Sequence, residues 1–379
     1  MKLAIDASRN RSGGAIRHLV EILKNIDPEA SHITEVHLWS YKTLLDKIDD
    51  KDWLIKHRPN ALEKGVVFQL FWQRYILPRE FKANNCDIIL NTDAGTIARI
   101  VPSVTMSRDM LSYEAGELER YPLGKARLRL ILLKYWQNSS LRNATGAVFL
   151  TQYASDIIQR SSGRLNNFRI INHGVSEAFR RKPRNKVGQN TFEIVYVSNV
   201  DLYKHQWNVV KACLLLRQAG FELKLHLVGS IEGPGKQMLL DTVTECDPNS
   251  EFVIISNHVN AEFLPQILSN ADMFVFASSC ENMPNSLVEG MASGLPIACS
   301  ERGPMPEVLG DAGTYFDPEN ILSIVDALRH LITSEDVRND LSKKAYKRAL
   351  NFSWEKCASE TIAYLREVFE MSTVGKDNQ

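Results

Sequence analysis

The chain has no net charge: 45 lysines and arginines stand against 45 aspartates and glutamates. That balance removes any whole-molecule argument for nucleic-acid binding, which draws on an excess of cations. Cysteine is scarce. The six residues Cys86, Cys213, Cys246, Cys280, Cys299 and Cys357 all lie outside metal-knuckle spacing of one another. Neither a disulfide framework nor a structural zinc site is indicated, and a reducing compartment fits. No apolar run approaches the roughly 20 residues that span a bilayer. The opening MKLAIDASRN soon turns polar and has neither the apolar region nor the cleavage site of a signal peptide. A cytoplasmic protein is expected, able to sit peripherally at the inner face of a membrane without crossing it. No Asp-x-Asp pair stands in a convincing metal-binding context, so no metal and no cofactor are expected.

What is present is alternation. At 379 residues with 44% apolar content, the chain is long enough for two cores. KLAID (2–6), EVHLW (35–39), VVFQL (66–70), DIIL (87–90), SVTM (103–106), AVFL (147–150) and FRII (168–171) read as strands. Between them AIRHLVEILKNI (15–26) places Ile16, Leu19, Val20 and Leu23 on one helical face. The basic, proline-containing RRKPRNKVGQN (180–190) interrupts this pattern as a linker. It then restarts with FEIVYV (192–197), LKLHLV (223–228), FVII (252–255), MFVFA (273–277), PIACS (296–300) and GTYF (313–316). This is doubly wound α/β grammar twice over. The expected domains are 1–178 and 192–352, joined by a linker at 179–191. A terminal helix over 353–375 is available to cross back to the first domain.

One helical stretch is unusual. YPLGKARLRLILLKYWQNSSLRNA (121–144) mixes Leu128, Leu130, Ile131, Leu132, Leu133, Tyr135 and Trp136 with Lys125, Arg127, Arg129, Lys134 and Arg142. An interfacial helix on anionic lipid fits the pattern. Core packing with solvated cations fits it too.

Glu281 and Glu289 flank a proline in CENMPNSLVEGMASGLP. Ser286 and Glu289 have the S-x-x-E spacing of a capping box, which would leave Glu289 inert. Alternatively, a helix N-terminus beside a strand end offers N–H donors to a phosphate. The two carboxylates would then lie on opposite sides of that anion, accepting from the hydroxyls of a polyol. Lys204 alone would ordinarily be solvated. His18, inside a helical repeat, reads as a packed side chain, whereas His173 in the NHG turn has a stronger functional claim. Gly13 and Gly14 permit close backbone approach to a ligand or simply make a tight connection.

The segment 280–318, with Glu-x7-Glu, MASGLP and PEVLGDAG in order, resembles the signature of the retaining glycosyltransferases of family 4, whose fold is GT-B. DASRNRSGGAIRHLVEIL, INHGVSEAF (171–179), the Lys204 segment after YVSN and the closing FSWEKCA extend the resemblance over nearly the whole chain. It implies a nucleotide diphosphate sugar as donor substrate and an oligosaccharide or lipid-linked saccharide as acceptor, within bacterial polysaccharide or glycolipid synthesis. Glu281 would bind donor-sugar hydroxyls, Glu289 the ribose and Lys204 the diphosphate. Asn285, Ser286 and Leu287 would offer donors at the helix start. Arg108 and Asp109 in TMSRDML match a loop that often reads His-Asp, with Asp109 orienting Arg108. Gly13, Gly14 and His173 belong to the acceptor side of the cleft.

The chain also departs from that pattern. Ser198 and Asn199 stand where a Gly-Arg pair is common, which removes one cation. Asn199 can hydrogen-bond a phosphate without supplying charge, and Arg302 could replace the missing one. Two rivals stay open: a nucleotide-sugar isomerase, since that chemistry also occurs on a double Rossmann scaffold, and an inactive sugar-nucleotide-binding subunit, which Asn199 and Arg108 favour.

Overall fold

The computed structural model describes residues 1–11, 13–184, 191–257 and 259–377. Two compact units emerge. The first comprises residues 1–113, 123–174 and the chain from Trp354 onward; the second comprises Glu114–Pro122 and Val175–Ser353. Residues 185–190 of the expected linker lie outside the described residues.

The first unit holds seven strands: β1 (Lys2–Asp6), β2 (Glu35–Trp39), β3 (Leu54–His57), β4 (Ile88–Asn91), β5 (Ser103–Met106), β6 (Gly146–Phe149) and β7 (Phe168–Ile170). They form one parallel sheet in the order β3-β2-β1-β4-β5-β6-β7. Its central strands are apolar on both faces because helices cover both, and Leu3, Ile5, Ile89 and Val104 are fully enclosed. The helix Trp354–Asp377 packs on the helix Gly13–Lys24 within this unit.

The second unit holds β8 (Phe192–Val197), β9 (Leu223–Val228), β10 (Val253–Ser256), β11 (Met273–Phe276), β12 (Ile297–Ser300) and β13 (Thr314–Phe316). Their order is β10-β9-β8-β11-β12-β13, again parallel throughout. In each sheet the winding direction reverses once, between β1 and β4 and between β8 and β11. Ligands of open α/β sheets bind beyond the strand C-termini at such a reversal.

One sequence expectation is corrected, and one strand went unanticipated. VVFQL is not a strand: Val66–Phe71 is helical and continues into a π-helical turn, Trp72–Ile76. A short apolar run has no period that separates buried strand from helix. The strand of that region is β3, whose LIKH has too few apolar residues to announce a sheet edge.

Candidate functional site

β8 ends at Val197, and the chain then runs through Ser198 and Asn199 to a single 3₁₀ turn, Leu202–Lys204. Asp201 caps that turn, its carboxylate accepting from Leu202 N–H at 2.7 Å. His205 follows with φ 50°, a left-handed residue that redirects the chain into the helix Gln206–Gln218. The turn therefore projects Lys204 from the C-terminal end of β8, held from below by Tyr196, whose hydroxyl donates to the Lys204 carbonyl at 2.6 Å.

β11 ends at Phe276 on the other side of the reversal, and its loop carries Ser279 and Glu281. The Lys204 ammonium and the Glu281 carboxylate form an ion pair, with side chains only 12% and 16% exposed. Residues 77 positions apart thus meet where the sheet geometry favours a ligand. Burial and the Glu281 charge together push the Tyr203 and Tyr196 hydroxyls far above their usual range, so both stay protonated.

Glu289 is buried in the helix Asn285–Ala292. That helix has Pro284 at its N-cap and no side-chain cap, so Ser286 lies inside the first turn and the capping-box alternative is not made. Asn285, Ser286 and Leu287 form that first turn. Gly290 lets the helix lie directly on β11, where an added Cβ would meet the Phe274 ring at 2.8 Å.

Asn199 is used by the fold. Its side-chain oxygen accepts from Ser230 N–H at 3.0 Å, tying the loop after β8 to the loop after β9. A pocket of about 230 Å³ opens there, lined by Ser198, Asn199, Gly229, Ser230, Val259 and Leu264. Arg302 pairs with Asp317 at 3.1 Å. The adjoining Gly303 approaches the Glu281 backbone, so the β12 loop flanks the ion pair.

Sequence reasoning missed a second layer. The nine-residue excursion Glu114–Pro122 belongs to this second unit. Its Glu117 is 2% exposed and accepts from Ser279 Oγ at 2.6 Å and from Arg120 Nε at 2.8 Å. Arg120 reaches on to Glu319 at 2.9 Å, and Tyr121 donates to Asp201 at 2.6 Å. Ser279 Oγ also lies 2.9 Å from His205 Nε2. With its proton given to Glu117, the hydroxyl must accept from a neutral His205 carrying its hydrogen on Nε2. Nothing local in SYEAGELER signals this role; only the folded chain does.

His205 is pulled down to about 4, first by burial and then by the Arg120 charge. A depressed histidine contributes stability above its unfolded value of 6.5, lost as pH falls through that value toward 4. The contribution is on the order of 3 kcal/mol. His205→Gln keeps a side-chain N–H without titrating. Its stability difference from the unmodified protein should shrink between pH 6.5 and 4. A constant difference across that window in denaturant titrations would refute the assignment.

In the first unit the candidates gather around the start of the helix Gly13–Lys24. Arg108 donates to the Ala15 carbonyl at 3.2 Å, and burial pushes its guanidinium down to about 10. Asp109 accepts from Leu111 N–H at 3.1 Å and from Gln137 at 3.5 Å; burial raises its carboxyl. Neither set of contacts joins Arg108 to Asp109, so the expected orienting pair is corrected. Gly13 opens the helix, and a Cβ there would meet open space, so packing does not demand the glycine. Gly14 follows it in the first turn. The tilted rings of His18 and His173 lie 4.3 Å apart beside Trp354, and burial holds His18 well below its usual range. The loop after β1 adds Asp6, whose buried carboxylate accepts from Ser8 N–H at 3.0 Å and Gln73 at 2.8 Å.

Among the described residues, no group of three or more His, Cys, Asp or Glu could hold a metal ion, and no helix is long and apolar enough to cross a membrane. All six cysteines are free and buried.

The family described as glycosyl transferases group 1 matches residues 177–348. That finding overturns the family-4 label: the matched description is group 1, and it leaves stereochemistry undetermined. O-antigen chain mannosyltransferase B of Escherichia coli is 32% identical over 105 residues, 28% of this chain and 28% of that protein. The chain spans about half the length of other curated relatives, such as the D-inositol 3-phosphate glycosyltransferase of Paenarthrobacter aurescens (strain TC1), 25% identical over 56% of this chain and 55% of that protein. Among solved structures, sucrose-phosphate synthase from Thermosynechococcus elongatus superposes with a TM-score of 0.76 at 17% identity, covering 98% of this chain and 100% of that one. The fold is GT-B: two Rossmann-like domains, each built on a parallel sheet.

Proposed function

We propose that the protein is a glycosyltransferase that moves a sugar from a nucleotide diphosphate donor to an oligosaccharide or lipid-linked saccharide, with retention at the anomeric carbon, in polysaccharide or glycolipid synthesis. The observation that carries this reading is the Lys204–Glu281 pair at the winding reversal of the second sheet, inside the matched region 177–348. On binding, the donor diphosphate would take the Lys204 ammonium and the sugar hydroxyls would donate to Glu281. Glu289 would accept from the ribose. The start of the helix Asn285–Ala292 would supply N–H donors, and Asn199 and Arg302 would flank the phosphates. Arg108, Asp109, Gly13, Gly14 and His173 would serve the acceptor side.

In the reaction the bond from the anomeric carbon to the diphosphate oxygen breaks and the acceptor oxygen bonds to that carbon on the same face. The acceptor proton passes to the leaving phosphate, so no protein nucleophile is required. The protein supplies placement and charge stabilisation and acts without a metal. It would work in the cytoplasm, peripherally at the inner membrane face.

A panel of UDP- and GDP-sugars, offered with and without membrane glycolipids, tests this. Nucleotide diphosphate release that depends on acceptor supports transfer. A changed sugar still attached to its nucleotide points to an isomerase, and donor binding without turnover points to an inactive subunit. Glu289→Gln should weaken donor affinity by roughly tenfold, the usual cost of a charge-assisted hydrogen bond. Unchanged affinity with lowered thermal stability would remove Glu289 from the site.

A further inference from the structure

The helix Lys125–Asn143 is inverted relative to a core helix. Its buried residues are Gln137, Asn138, Ser140 and Leu141, all in the last two turns. The preceding three turns bury no residue, and Leu128, Ile131, Leu132, Tyr135 and Trp136 are all exposed at the i, i+3, i+4, i+7, i+8 spacing of one helical stripe. Tyr135 is 68% exposed. Core packing, the competing account of this sequence, therefore does not hold for the apolar stripe.

A second segment of the same unit does likewise. Val66–Phe71 buries no residue, and Val67, Phe68, Phe71 and Tyr75 face outward, Val67 at 77% exposure. One arginine lies near both segments. Arg99 donates to Ser139 of the basic helix at 2.9 Å, and its guanidinium is lowered by burial and by the charge of Arg74 in the π-helical turn.

The charges on these segments have one sign. Residues 64–79 contain Lys64, Arg74 and Arg79, and residues 121–143 contain five cations; neither stretch contains an aspartate or glutamate. In a chain balanced at 45 against 45, this is local segregation. Helical spacing sets Lys125 and Arg129 on one flank of the stripe and Arg127 and Lys134 on the other. Long basic side chains beside an apolar strip can extend to a headgroup layer while the strip enters the acyl boundary. A second copy of the chain is a poor occupant, because a two-fold contact would press cations onto cations.

We propose that the outward face of Val66–Tyr75 and Leu128–Trp136 seats the protein on an anionic lipid bilayer, with both segments lying in the interface plane. This deepens the peripheral placement proposed above, but its readout is vesicle partition, which stands or falls independently of sugar transfer.

The full chain is sedimented with vesicles of phosphatidylcholine alone and of roughly equal phosphatidylcholine and phosphatidylglycerol. Partition to the anionic vesicles should be at least about tenfold stronger, and should fall sharply as salt approaches about 1 M. Phe68→Ser with Phe71→Ser, or Leu128→Ser with Leu132→Ser, should each weaken it about tenfold or more. Lys125→Gln with Arg129→Gln should weaken it roughly tenfold. All these side chains are exposed, and circular dichroism of each variant checks that it folds. No sedimentation of the unmodified protein at low salt overturns the proposal. So does equal partition of the apolar variants, which would leave an acidic protein as occupant. A dimer that the serine variants convert to monomer in gel filtration would assign the face to a second copy instead.

Discussion

Lys204→Met is expected to lower sugar transfer by roughly ten- to a thousandfold, the range for losing one electrostatic contact to developing charge. The leaving diphosphate gains charge as its bond to the sugar breaks, and Lys204 stands at the strand end where that group would lie. Loss of the ammonium also leaves the Glu281 carboxylate, 16% exposed, without its partner. That should cost about 1 to 3 kcal/mol of stability. The two effects separate in the double variant Lys204→Met with Glu281→Gln. A neutral amide beside a thioether needs no ion pair, so stability should largely return while transfer stays low. Near-normal turnover of Lys204→Met with the correct donor and acceptor would remove Lys204 from the chemistry. Transfer recovering together with stability in the double variant would make the pair structural only.

Most of the strand pattern is readable in sequence because parallel strands buried on both faces are written as short apolar runs. β8 and β9 match the hexapeptides FEIVYV and LKLHLV residue for residue. The failures have physical causes. Val66–Phe71 looks like a strand because its valines and phenylalanines are apolar, yet those residues face outward instead of filling a sheet. β3 escaped notice as an edge strand with polar residues. Lys204 and Glu281, 77 positions apart, were named in sequence only through the family resemblance, and the fold brings them together. Glu117 was not legible, because its partner Ser279 lies 162 positions away and no periodicity spans that distance. Asn199 shows the converse limit. Its amide reads in sequence as a phosphate contact, but no local pattern announces that its oxygen accepts from Ser230 N–H, 31 positions away.

The second large effect belongs to Glu117, which we assign as a positioning residue. Its carboxylate fixes Ser279, two residues before Glu281, and Ser279 in turn fixes His205, one residue after Lys204. One buried acid therefore steadies both arms of the ion pair. Glu117→Ala takes away the closer acceptor of the Ser279 hydroxyl, leaving the Tyr203 carbonyl at 3.3 Å, and leaves Arg120 with Glu319 alone, at a cost of about 3 kcal/mol. Transfer measured well below the denaturation midpoint should fall about tenfold or more, because displacing the Lys204–Glu281 geometry loosens a pre-organised site. Glu117→Gln keeps an acceptor for Ser279 while losing the charge for Arg120, so it should recover much of the transfer but less of the stability. Ser279→Ala cuts the same chain at its middle. Paired with Glu117→Ala, it should add little to the loss of transfer, since residues of one hydrogen-bonded network are not independent. Additive losses would mean that Glu117 acts through Arg120 and not through Ser279, and unchanged transfer by Glu117→Ala would confine the whole arrangement to stability.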